Sequence, residues 1–196
     1  MNLISNQNKI KGLRLAFGCQ ARVGKSESVK YLVDKYGGIE LSFAEPVYKI
    51  LNFAQETCQF KAEKDRNFLQ WIGTEWGRNQ DSEVWVKCLI RRVKSISSET
   101  NIFVSDVRYP NEKKALEDHG FSIIRLIRET HQEKSFLGNG EWSKHSSETS
   151  LVGNDIKWSD CIENHGSLEN LHLKLDTIVK LYHHKVMACF INPKDL

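Results

Sequence analysis

The run Gly18-Cys19-Gln20-Ala21-Arg22-Val23-Gly24-Lys25-Ser26 gathers glycines, two cations and a hydroxyl in one short stretch. Backbone N–H groups of such a loop, with a helix N-terminus behind them, cradle the β- and γ-phosphates of a nucleotide. Lys25 then neutralises phosphate charge and Ser26 holds magnesium, with Arg22, Val23, Gly24 and Glu27 completing the phosphate site. One position departs from the GxxxxGK[ST] pattern. Counting back from Gly24, the first glycine falls on Cys19, and the glycine present stands one place early at Gly18.

A second group of charged residues lies further along. Asp106 ends a predicted strand, where ligands gather in open α/β sheets, and is placed to order magnesium or its waters. Arg108 follows it, and planar guanidinium binds phosphate oxygens in pairs. Phosphoryl transfer spreads negative charge over donor and acceptor, so positive groups beyond Lys25 are needed, and Arg22, Arg66, Arg78 and Arg128 are the candidates. Between them, Trp71, Trp76 and Trp85 either stack on a base or fill the core; core packing is the default for tryptophan.

The elements that must position these groups follow from periodicity. Leu13 to Gly18 is a short apolar strand leading into the loop, and Ser26 to Tyr36 is a helix with Val29, Leu32, Val33 and Tyr36 on one face, stopped by Gly37-Gly38. A strand over Ile39 to Ala44, a helix with Pro46 in its first turn, a helix over Asp65 to Ile72 ending in Gly-rich turns, and a helix starting near Asp81 or Ser82 come next. Strands over Asn101 to Val107 and Phe121 to Ile127 flank a helix from Pro110 to His119, a β-α-β unit whose pairing should be parallel. From Arg128 to Asn154 the period is lost, and this stretch is expected to be a lid. A weak strand over Ser159 to Glu163 precedes a long amphipathic helix from Ser167. The expectation is an α/β fold, a P-loop three-layer α/β/α sandwich with a mainly parallel five-stranded sheet, formed by residues 1–196 as one domain.

With these residues assembled, the chain resembles the deoxynucleoside monophosphate kinases of tailed bacteriophages, P-loop kinases related to adenylate kinase. The resemblance rests on Gln20 to Lys25, on Ser42-Phe43-Ala44-Glu45-Pro46, and on Arg66-x-x-x-Gln70-x-x-Gly73-Thr74 followed by Trp85-Val86-Lys87. It continues in Asp106, Arg108 and Glu112, in His145 and Glu148 of the lid, and in Asn164-His165-Gly166-Ser167-Leu168-Glu169-Asn170-Leu171, covering about residues 13–180.

This resemblance implies transfer of the γ-phosphoryl of ATP, with Mg2+, to a 2′-deoxynucleoside 5′-monophosphate. It places Lys25, Arg128 and Asp106 at the reacting groups, and Arg66, Gln70, Gly73, Arg78, Trp85, Lys87, Asp106, Arg108, Glu112, His145 and Glu148 around the acceptor nucleotide, with Ser26 and Asp106 near the metal. A dephospho-coenzyme A kinase is the rival within the enzyme class, and a slow nucleotide-binding switch or assembly module the rival outside it.

Composition sets limits on all three. With 196 residues, 40% hydrophobic and 27% charged, the chain supports one core, and disorder throughout is excluded. A net charge of +3 is too small for a protein that grips long nucleic acid by charge alone. No apolar run reaches the length of a membrane span and the N-terminal segment lacks a signal-peptide core, so a cytoplasmic location is expected, that of the host if the gene is a phage's. Five scattered cysteines without a CxxC pair read as reduced, mostly buried thiols, and His183-His184 as surface residues. Subunit number is open, with a homodimer among the assemblies compatible with the reading.

Overall fold

The computed structural model describes residues 10–18, 22–128, 150–151 and 156–191, the segment 185–191 by its backbone alone. Its strands are β1 (Arg14–Gly18), β2 (Ile39–Leu41), β3 (Ile102–Val107), β4 (Ser122–Ile127) and β5 (Asp160–Glu163). Its helices are α1 (Lys25–Tyr36), α2 (Glu45–Thr57), α3 (Arg66–Gln70), α4 (Gly77–Gln80), α5 (Val84–Ser95), α6 (Pro110–Glu117) and α7 (Leu168–Ile191).

The five strands form one sheet in the order β2-β3-β1-β4-β5, every pairing parallel. Leu15, Ala16 and Phe17 are fully buried, so β1 is apolar on both faces and is satisfied only in the middle of the sheet. That placement revises the expected β3-α6-β4 unit. The two strands are parallel, but β1 lies between them and α6 carries the chain across it.

Helices cover both faces. Leu15, Phe17, Phe103, Ile124 and Leu126 pack with Val29, Leu32, Leu171 and Leu175 under α1 and α7. Ala16, Ile102, Val104 and Ile123 pack on the opposite face with Val47, Leu89, Val93 and Leu116 from α2, α5 and α6. Leu151 is buried in this second cluster, so the far end of the expected lid is anchored in the core. Residues 129–149 and 152–155, the body of that lid, lie outside the described residues.

The segment after α2 differs most from expectation. Instead of ending in turns, α3 runs through a π-helical stretch, Trp71–Trp76, directly into α4. Gly73 and Gly77 are breakers by propensity, yet both sit inside this helix. A Cβ on Gly77 would lie 2.5 Å from Cζ2 of Trp85, so glycine there permits close packing against α5. The buried Trp85 donates its indole N–H to the carbonyl oxygen of Gly73 at 2.7 Å, taking up a carbonyl of the π-helical stretch.

Smaller revisions follow the same logic. Strand β2 stops at Leu41 instead of Ala44 because the next three residues turn under Asp106, and α5 begins at Val84 after Asp81 accepts from the N–H of Glu83 at 3.0 Å. Cys58 and Cys161 are exposed and Cys88 half-buried, against the expectation of mostly buried thiols. The rings of His183 and His184 are tilted and 6.3 Å apart, as suits adjacent residues on different faces of a helix. Among the described residues no helix is long and apolar enough to cross a membrane.

Candidate functional site

At the carboxyl end of the central strand, Gly18 pairs with Val107 of β3 on one side and Arg125 of β4 on the other. A Cβ on Gly18 would come within 2.6 Å of Trp158, so this glycine makes room for the indole. The early glycine of the loop therefore has a packing reason of its own. Residues 19–21 lie outside the described residues, and the chain is described again from Arg22, which is exposed with φ 66°.

Gly24 then caps α1 at φ 106°, a left-handed conformation that suits glycine and costs other residues about 1–2 kcal/mol. No side chain caps α1. The first backbone N–H groups of the helix thus point out of the sheet edge with the positive end of the helix dipole behind them, an arrangement that receives an anion. Lys25 and Ser26 are its first two residues, half-buried and exposed respectively. Val23 is buried beneath them, and half-buried Glu27 lies 3.9 Å from Nε2 of His172.

The loop is fastened from below by a residue not singled out as a site member. Asn164, buried just after β5, donates its amide N–H to the carbonyl oxygen of Val23 at 3.0 Å. The signal for it lay in the Asn164-x-Gly166-Ser167 run, noticed as a pattern without a role.

A second constellation forms at the end of β3. Both carboxylate oxygens of Asp106 are engaged. Oδ2 accepts from the Ser42 hydroxyl at 2.6 Å and the Ala44 N–H at 2.9 Å, and Oδ1 from the Phe43 N–H at 3.0 Å. Asp106 thereby closes the β2–α2 turn and serves the free N–H groups ahead of α2.

Glu112, one turn into α6, is buried. It accepts from the backbone N–H groups of Arg108 at 2.7 Å and Tyr109 at 3.1 Å, and from Nη2 of Arg78 at 2.5 Å. The Arg78 guanidinium lies 3.9 Å from the centre of the Tyr109 ring and donates to the Ser82 carbonyl at 3.2 Å. Burial pushes the Glu112 carboxyl up to about 7, with the negative charge of Asp106 adding to the rise. Arg78 and the two backbone N–H groups pull the other way.

The expected acceptor residues therefore divide. Gly73, Trp85, Arg78, Glu112, Arg108 and Asp106 form one connected group along α4, α5, α6 and the end of β3. Arg66, exposed, and Gln70, half-buried, sit one turn apart on α3. Arg66 borders an open groove of about 520 Å³ shared with Gln55, Phe60, Lys61 and Lys64. Lys87 lies on the outer face of α5 and pairs with Asp81 at 2.7 Å, away from that group. Arg128, exposed, is the first residue after β4, while His145 and Glu148 lie outside the described residues. Trp71 and Trp76 are exposed at 51% and 44%, so core packing holds for Trp85 alone of the three. Among the described residues no group of three acidic, histidine or cysteine side chains is arranged to hold a metal.

A parallel sheet of order 2-3-1-4-5, with a glycine-capped helix rising from the end of its central strand, defines a phosphate-loop α/β protein. The chain belongs to the deoxynucleotide monophosphate kinase family, whose model matches residues 64–175. It is 31% identical over 156 residues to an uncharacterised protein, ORF77, of Ictalurid herpesvirus 1 (strain Auburn), an alignment spanning 78% of this chain. The chain spans 63% of that relative's length. Among solved structures, a gluconokinase from Sinorhizobium meliloti 1021 shares the fold at a TM-score of 0.50 and 8% identity, over 89% of this chain and 97% of that one. A sugar kinase from Janibacter sp. HTCC2649 aligns at a TM-score of 0.44 and 12% identity, over 84% and 92%.

Proposed function

We propose that this protein transfers the γ-phosphoryl group of ATP to a 2′-deoxynucleoside 5′-monophosphate, giving the diphosphate. The observation that carries this reading is the adjacency of two sites on one sheet edge: an uncapped helix N-terminus with Lys25 and Ser26 after β1, and an arginine-rich constellation after the neighbouring β3. Membership of the family supplies the nature of the acceptor.

In this reading the loop N–H groups and Lys25 hold the donor phosphates, and Arg128 approaches the transferring group from the start of the lid. Arg66 and Arg108 hold the acceptor phosphate. Magnesium, held by Ser26 and water, would neutralise charge shared by the β- and γ-phosphates. Asp106 would face it through water, since its oxygens already accept three hydrogen bonds. The acceptor phosphate is ionised at neutral pH and attacks without a strong general base, so catalysis is positioning and charge neutralisation.

An ATP-coupled assay across deoxynucleoside monophosphates, ribonucleoside monophosphates and dephospho-coenzyme A tests the assignment. Diphosphate formation from at least one deoxynucleoside monophosphate, well above that from the other acceptors, is expected. Turnover confined to dephospho-coenzyme A, or tight ATP binding with no transfer to any acceptor, would reject it.

A further inference from the structure

We propose that Glu112 and Arg78 make no contact with the nucleotide and act as a positioning pair, locking the helical arm that carries Arg66 to the strand exit that carries Arg108. This rests on the reading of Arg66 and Arg108 as the acceptor-phosphate arginines.

The case begins with what the two side chains already do. Glu112 is 2% exposed, and both its oxygens are occupied, Oε1 by Arg78 and Oε2 by the N–H groups of Arg108 and Tyr109. A carboxylate offers acceptors only, so it repels a phosphate and has no donor to give one. Arg78 is 12% exposed, with one face against the Tyr109 ring and N–H groups directed to Glu112 and Ser82. Turning it toward a phosphate would strip Glu112 of its counter-charge while leaving that carboxylate buried.

The case continues with what the pair joins. Arg108 and Tyr109 are the first residues after β3, and their backbone N–H groups end on one carboxylate oxygen. The Arg108 side chain therefore departs from a point fixed to the sheet. Arg78 comes from α4, 34 residues earlier, on the continuous helix that begins with Arg66. Two arginines that must close on one phosphate belong to separate elements, and the Glu112–Arg78 pair is the charged link between them. Precise placement of such groups governs substrate binding more than their mere presence does.

Double-mutant cycles on the full-length protein decide the matter, with KM for the best deoxynucleoside monophosphate, KM for ATP, kcat and the melting temperature as readouts. E112Q is expected to raise the monophosphate KM by about 10-fold or more, with kcat and the ATP KM within about two-fold. In an R108Q background the same E112Q change should cost less than about two-fold, because the arginine being positioned has gone. R78K, which keeps the charge and loses the planar fork, should repeat this pattern at smaller amplitude and decides the question if E112Q does not fold. Losses that multiply in the R108Q background would mean that the pair touches substrate itself. A parallel rise in both KM values with a fall in melting temperature would mean that it merely holds the fold. Either result overturns the proposal, and a wild-type protein that phosphorylates no monophosphate overturns it together with the reading beneath it.

Discussion

The amide of Asn164 reaches the carbonyl oxygen of Val23 at 3.0 Å, and its Nδ2 is the atom a Cβ on Gly24 would meet at 2.8 Å. The backbone N–H of Asn164 meanwhile donates to the Ile127 carbonyl at 2.7 Å, at the end of β4. One buried residue thus fixes the separation between the phosphate loop and the strand end from which Arg128 departs.

Asn164→Ala should therefore loosen the loop without dissolving the sheet. It leaves the buried Val23 carbonyl without that donor, at a cost of about 1–3 kcal/mol. Denaturant unfolding should show that loss. ATP titration should show weakened binding, with the monophosphate KM changed less, and an ATP affinity equal to wild type would show that the loop holds its shape unaided.

Lys25→Ala removes a charge used mainly while negative charge redistributes, so kcat should fall by ~10²–10³. Lys25 lies at the helix N-terminus outside the core, and the melting temperature should stay near that of wild type. Near-native turnover by the folded variant would remove the loop from the mechanism.

The tryptophans should separate cleanly by stability. Trp85→Phe keeps most of the ring and loses the indole N–H that serves Gly73, costing about 1–3 kcal/mol. Trp71→Ala and Trp76→Ala, at exposed positions, should change stability by no more than about 0.5 kcal/mol. Chemical denaturation of the three variants measures this. A large loss at Trp71 or Trp76 would mean that these rings are covered in solution.

Glu112 makes stability depend on pH in a direction opposite to most carboxylates. Its carboxyl is pushed up from 4.5 to about 7 on folding. The folded state therefore binds more protons than the unfolded one between those values, and stability falls as pH rises through that window. At about 1.4 kcal/mol per unit of pH, the contribution is on the order of 3 kcal/mol, present below 4.5 and lost by the time pH passes 7. The difference in unfolding free energy between wild type and E112Q, measured from pH 4.5 to 8, should carry this slope. Parallel curves would mean that Arg78 keeps the carboxylate ionised throughout.

Much of the architecture was legible because local patterns encode it. The apolar run before the loop, the Gly37-Gly38 stop and the spacing of Leu171, Leu175 and Ile178 each act over a few residues, and the structure follows them. What was not legible depends on contacts distant in sequence. The insertion of β1 between β3 and β4 is invisible to any window, and so is the packing of Trp85 that turns Gly73 and Gly77 from breakers into helix residues. In the candidate site, residue types pointed correctly to a cluster around Arg78, Arg108 and Glu112. Which of them face solvent and which face one another was settled by burial, a property that one sequence does not carry for charged residues.

The π-helical stretch has a consequence of its own for chain length. A π-helix closes its hydrogen bonds one residue later than an α-helix, so Trp71–Trp76 holds a residue more than a regular helix would fit in the same span. Deleting one residue there would let the arm relax into ordinary α-helix and swing everything beyond it by about 100° around the axis. Arg78 would then leave Glu112 and Gly77 would leave Trp85, although no side chain at either contact had been altered. The arm is thus specified by residue count as firmly as by residue type, and a one-residue deletion should do more harm here than most substitutions.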